Sequence, residues 1–129
     1  MQTQGVHHVG LTVKDVKQTA QFFVDILNFN VVREKPDYPA IFVSDGTHMI
    51  TLWQVQDREN MNTFDRKTNI GLHHIAFKVE SPEVLQSIYK TLNDNDVTIE
   101  FAPESVGEGP AQHMIFYEPG GIRIEIFTA

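Results

Sequence analysis

The chain has 129 residues, 41% hydrophobic and 21% charged, which suits one compact domain or two small modules sharing a core. A formal net charge of −7 without any basic cluster argues against nucleic acid and acidic membrane surfaces as partners. With no cysteine there is neither disulfide nor thiolate, so any metal must be held by nitrogen and oxygen.

No run approaches the roughly 18 apolar residues of a membrane span. The first residues also lack the basic and apolar regions of a signal peptide, so a cytoplasmic protein is expected. Val9, Leu11 and Val13 alternate with His8, Gly10 and Thr12, the pattern of a strand with one apolar face. Asp15 suits an N-cap, and Val16, Ala20, Phe23 and Leu27 follow at helical spacing. Strands are predicted at 31–34, 40–43 and 49–54, with Pro36, Asp37 and Asp45-Gly46 as turn residues between them. A polar connector without strong periodicity covers 56–70.

The second half copies this plan. A strand runs through Ile75, Phe77 and Val79, and Ser81-Pro82 makes an N-cap and first-turn pair. Val84, Leu85, Ile88 and Leu92 form the apolar stripe of a helix. Strands are then predicted at 97–101, 114–117 and 121–127, and 102–112 reads as a mobile loop able to close over a site. The organisation is βαβββ twice, as modules 5–55 and 71–129.

Gly5-Val6-His7-His8-Val9-Gly10-Leu11-Thr12-Val13 matches Gly71-Leu72-His73-His74-Ile75-Ala76-Phe77-Lys78-Val79, with His8 and His74 at equivalent places. The closing strands align too, so that Ile50-Thr51-Leu52-Trp53 pairs with Ile124-Glu125-Ile126-Phe127. If each helix covers the aliphatic face of its sheet, the opposite face carries His8, Thr51, His74 and Glu125. Two imidazoles and one carboxylate on that face make a 2-His-1-carboxylate set, with open positions for substrate, water or oxygen. A carboxylate among Ile122, Ile124, Ile126 and Phe127 is costly unless paired or metal-bound. Arg123 is a structural partner to weigh for it, or a support for the site. Met49, Trp53 and Phe127 share the ligand face and would wall a substrate pocket with Thr51 and Arg123. His7 and His73 are placed on the helix side as structural residues, and His48 near a strand start is expected to be exposed. His113 and Tyr117, close to the 102–112 loop, are the acid–base candidates.

On His-His-Val-Gly-Leu-Thr-Val-Lys-Asp at 7–15, Gly-Leu-His-His-Ile-Ala-Phe-Lys-Val at 71–79 and Phe-Tyr-Glu-Pro-Gly-Gly-Ile-Arg-Ile-Glu at 116–125, the chain resembles the vicinal oxygen chelate superfamily. That group includes glyoxalase I, extradiol ring-cleaving dioxygenases, fosfomycin-resistance proteins, methylmalonyl-CoA epimerase and bleomycin-resistance proteins. The resemblance covers nearly the whole chain. It implies an α+β fold of two βαβββ modules whose curved mixed sheet encloses a metal site, and its ligand positions fall on His8, His74 and Glu125. It implies a divalent ion, Fe(II) or Mn(II) first and otherwise Ni(II), Co(II) or Zn(II), a small substrate chelating through adjacent oxygens, and a homodimer with shared sites.

Departures narrow the chemistry that the resemblance implies. Glyoxalase I enzymes add an acidic fourth ligand where this chain has Thr51. Fosfomycin transferases line the site with cations and a tyrosine, whereas 102–112 holds no Lys or Arg and the tyrosine position is Ile115. The ending Tyr-Glu-Pro-Gly-Gly and the strand His-His-Ile-Ala favour an extradiol-type dioxygenase, although His113 does not meet the fuller extradiol signature. A glyoxalase I-like lyase or epimerase is the alternative, and a metal-free drug-binding protein of the bleomycin-resistance type, or a fosfomycin-resistance protein, the rival beyond it.

Overall fold

The computed structural model describes residues 1–129, which fall into two compact units, Met1–Met61 and Asn62–Ala129. Each is a four-stranded mixed sheet with one long helix against it.

In the first unit, β1 (His8–Val13) runs parallel to β4 (Met49–Gln54), and β3 (Ala40–Ser44) and β2 (Asn30–Lys35) extend the sheet antiparallel, in the order β1-β4-β3-β2. Parallel pairing of β1 with β4 requires a crossover, and α1 (Val16–Asp25) supplies it. The Asp15 side chain caps α1 by accepting from the Gln18 N–H at 3.1 Å. Val16, Thr19, Ala20, Phe22 and Phe23 are the buried stripe of α1. They meet one face of the sheet, where Leu11, Val13, Ile41, Val43, Ile50 and Leu52 are buried. Phe23 and Phe29 meet edge to face at 5.1 Å. Asn28 follows the helix with φ +63°, a left-handed position that asparagine tolerates better than most residues.

The second unit repeats the arrangement. β5 (Ile75–Lys78) pairs parallel with β8 (Arg123–Thr128), followed by β7 (Gln112–Tyr117) and β6 (Ile99–Ser105). The crossover helix α2 (Pro82–Asp94) begins at Ser81, whose hydroxyl accepts from the Val84 N–H at 3.2 Å. Leu85 and Leu92 of α2 are fully buried, as are Met114, Phe116, Ile124 and Ile126 on the sheet. The β7–β8 turn is closed by buried Glu118, which accepts from the Ile122 N–H at 2.9 Å. Two register shifts interrupt the β6–β7 ladder, between Ile99 and Phe101 and between Phe101 and Glu104.

One expectation is corrected here. Residues 102–112 are not a single loop, because β6 continues to Ser105 and β7 starts at Gln112. The irregular ladder accommodates Pro103 and Ala102, which read as loop residues because proline cannot donate to a regular ladder.

Candidate functional site

In the second unit the face opposite α2 gathers the polar side chains. Register places Ile115 opposite Glu125, His113 opposite Phe127 and Tyr117 opposite Arg123, so these six share a face. His74 immediately precedes β5, and extending the Ala76–Glu125 pairing sets it opposite Arg123 on that same face.

Glu125 is the centre of the group, with its side chain only 13% exposed. Its Oε1 lies 3.5 Å from His74 Nε2, and its Oε2 lies 2.6 Å from His113 Nδ1. An ionised carboxylate only accepts, so His113 donates through Nδ1–H. The other edge of His113 faces Glu104, with Nε2 at 3.6 Å from Oε1, and Phe101 packs on the ring at 4.8 Å. Each Glu125 oxygen thus has a different imidazole beside it.

Arg123 does not neutralise Glu125. Its guanidinium grips Glu100 through Nε at 2.9 Å and Nη2 at 2.7 Å, in a fork that matches a carboxylate. Tyr117 donates to the same Glu100 Oε1 at 2.5 Å, and Arg66 stands 3.6 Å from it. These bonds, Arg123's first, hold the Glu100 carboxyl at about 2 against an ordinary 4.5. Arg123 is raised in turn, chiefly by its hydrogen bond to Glu100. Its remaining nitrogen, Nη1, lies 3.2 Å from His73 Nδ1. His73 is pushed below its ordinary value, by loss of hydration first and by the Arg123 charge next.

The equivalent face of the first unit carries His8, Gly10 and Thr12 opposite Met49, Thr51 and Trp53. His8 is exposed, with Nδ1 2.9 Å from His7 Nδ1. Thr51 is buried, and its hydroxyl accepts from Trp53 Nε1 at 2.9 Å. A side chain at residue 10 would stand 3.2 Å from the Thr51 hydroxyl, so glycine there leaves room for this pair. Phe42 and Tyr38 pack against the Trp53 ring at 5.6 and 4.7 Å, and the Lys35 ammonium lies 5.7 Å from it.

The structure therefore brings His74, Glu125 and His113 together, and separately joins Tyr117 and Arg123 through Glu100. Phe127 stands edge-on to His113 at 6.4 Å. Within neither unit do three His, Asp or Glu side chains converge as a metal-holding group. His7 and His73 are exposed rather than set against the helices. Both lie ahead of their strands, where His7 meets His8, and His73 meets His74 and Arg123, instead of a helix. His48 is exposed as expected, in the turn capped by Asp45. Glu100, Glu104 and Arg66 were not singled out from sequence. The register shifts hide the alternation that would have exposed the two glutamates, and nothing periodic marks Arg66 in the connector.

His74 and Glu125 fit a metal ion chemically. At 3.5 Å apart, an imidazole nitrogen and a carboxylate oxygen are near enough to turn toward one cation. No Lys or Arg pairs with Glu125, whose neighbours are the imidazoles of His74 and His113, so a cation would balance its carboxylate charge.

The family model described as Glyoxalase/Bleomycin resistance protein/Dioxygenase superfamily matches residues 5–126. A metapyrocatechase of Geobacillus stearothermophilus is 30% identical over 93% of this chain, which spans only 36% of that protein. The metallothiol transferase FosB of Staphylococcus saprophyticus is 29% identical over 97% of this chain and 77% of its own length. Among solved structures, a glyoxylase/bleomycin resistance protein/dioxygenase domain from Frankia superposes with a TM-score of 0.85 at 25% identity, over 98% of both chains.

Proposed function

Because the chain belongs to the glyoxalase/bleomycin resistance protein/dioxygenase superfamily, we propose that it is a divalent-metal enzyme whose ion is held by His8, His74 and Glu125. The observation that carries this reading is the 3.5 Å approach of His74 Nε2 to Oε1 of the largely buried Glu125, a carboxylate that no Lys or Arg pairs with. His8 stands at the repeat-equivalent position of the other unit and supplies the third ligand and second nitrogen, within a homodimer that shares its sites. Fe(II) or Mn(II) suits this nitrogen and oxygen set best, with Ni(II), Co(II) or Zn(II) as substitutes. When bound, the ion would stabilise the anion of a small substrate that offers two adjacent oxygens.

The residues around it have definable tasks. His113 holds Glu125 by its Oε2 and leaves Oε1 for the ion. Its Nε2, next to Glu104, is placed to take up and return a proton. Phe127 and Phe101 keep water from that imidazole. In the first unit, Met49, Trp53 and the Thr51 hydroxyl offer an apolar wall with one polar point. The substitution of a neutral, already bonded Thr51 for an acidic ligand favours an extradiol-type ring-cleaving dioxygenase over a glyoxalase I-like lyase.

The test is oxygen uptake by the Fe(II)-loaded protein with a panel of catechols and hydroquinones, beside turnover of 2-oxoaldehyde hemithioacetals. Oxygen uptake with a ring substrate supports the dioxygenase. Turnover of a hemithioacetal alone replaces it with a lyase, and inactivity of a metal-loaded protein on both panels refutes the dioxygenase reading.

A further inference from the structure

We propose that Arg123 is a positioning residue that, through His73, fixes the tautomer of His74 and so presents its Nε2 lone pair toward Glu125. The proposal rests on the reading of His74 as a metal ligand, but the tautomer itself is a property of the metal-free protein.

Donors and acceptors around the paired imidazoles set this tautomer. His73 Nδ1 and His74 Nδ1 lie 2.8 Å apart, so one carries the shared hydrogen and the other offers a lone pair. Arg123 decides between the two arrangements. Its Nη1 lies 3.2 Å from His73 Nδ1, and a guanidinium can only donate. His73 Nδ1 is therefore the acceptor, its one lone pair shared in a three-centre bond between the Arg123 Nη1–H and the His74 Nδ1–H. A neutral His74 protonated at Nδ1 is bare at Nε2, the nitrogen 3.5 Å from Glu125 Oε1. In the opposite arrangement His74 would be protonated at Nε2 and closed to a metal. Histidine ligands commonly have their tautomer set by what the distal ring nitrogen bonds. Here that partner is a second histidine, itself oriented by an arginine.

Arg123 is held for this role. Glu100 takes its Nε and Nη2, which fixes the plane of the guanidinium and leaves Nη1 for His73. Glu100 thus supports the tautomer of a residue it does not touch. The first unit lacks the device. His7 and His8 show the same Nδ1 to Nδ1 approach, at 2.9 Å, but register sets Met49 opposite His8 where Arg123 stands opposite His74. Methionine donates nothing, so the two repeats differ in this point, and only the second module is set in advance to offer Nε2.

The full chain, freed of metal with a chelator and labelled with nitrogen-15, tests this by long-range nitrogen–proton correlation of its imidazoles. His74 should show a protonated Nδ1 and a pyridine-type Nε2 at neutral pH. Arg123→Met should shift His74 toward the Nε2–H form, and weaken binding of added Mn(II) by about 10- to 100-fold. Glu100→Gln loosens the guanidinium without removing it, and should shift the His74 tautomer in the same direction but by less than Arg123→Met. His74 protonated at Nε2 in the parent protein would overturn the inference, and so would an Arg123→Met variant with unchanged tautomer and affinity. A parent protein with the expected tautomer that binds no metal would sustain the tautomer argument and refute the metal-enzyme reading instead.

Discussion

Replacing Glu100 by glutamine should destabilise the fold at neutral pH and matter progressively less as the solution is acidified. The carboxyl titrates at about 2 rather than 4.5, chiefly through its hydrogen bonds from Arg123. A depression of that size is worth at most about 3 kcal/mol of folding free energy. The Glu100 side chain is 24% exposed and Arg123 only 12%, so screening by solvent trims this to about 2 kcal/mol. Because the folded state has the lower value, the contribution is complete above pH 4.5 and falls away toward pH 2. By pH 3 more than half should be gone. Urea unfolding followed by circular dichroism at pH 7 and pH 3 reads this directly. The Glu100→Gln variant should lose about 2 kcal/mol at pH 7, or somewhat more because Arg123 is left buried without its partner. At pH 3 the two proteins should lie within about 1 kcal/mol. An equal deficit at both pH values, or none at pH 7, would refute the ion-pair argument.

Leu85→Ala opens a cavity under the second sheet and should cost about 2–5 kcal/mol in the same unfolding assay. Asp15→Ala removes the cap of α1 and should cost about 1 kcal/mol, with no effect on metal uptake. His113→Ala leaves Glu125 Oε2 without its donor and should weaken Mn(II) binding by about 10- to 100-fold, measured by titration calorimetry. Mixing inactive His8→Ala and Glu125→Ala chains should restore part of the metal binding, since a mixed dimer with shared sites contains one intact set. Absence of any recovery after subunit exchange would contradict the shared arrangement.

Much of this was legible in the sequence because the repeats state their strands twice. The apolar alternation of Leu11 and Val13 and the stripe of Val16, Ala20 and Phe23 place β1 and α1, and the capping residues Asp15 and Ser81 mark where the helices start. The same alternation put Glu125 and His74 on one face, where they lie 3.5 Å apart. Alternation failed where strands end or bulge. His73 lies before β5, and its contacts are with its chain neighbour His74 and with Arg123 of β8, not with the helix. Glu100 and Glu104 lie at the shifts in the β6–β7 register, so their reach to Tyr117, Arg123 and His113 follows from tertiary packing. From sequence, Arg123 is a partner for nearby Glu125, a support for the site or a pocket residue, and its pairing with Glu100 is not visible. The longer reach across the sheet to Glu100 wins because it offers a two-oxygen fork.

The most direct test of the central claim is the metal content of untagged protein after saturation with Fe(II) or Mn(II) and removal of the excess, measured beside His8→Ala, His74→Ala and Glu125→Ala. The parent protein should hold close to one ion per chain, and all three variants should lose tight binding. A parent protein that retains no ion, or variants that retain it undiminished, would contradict it.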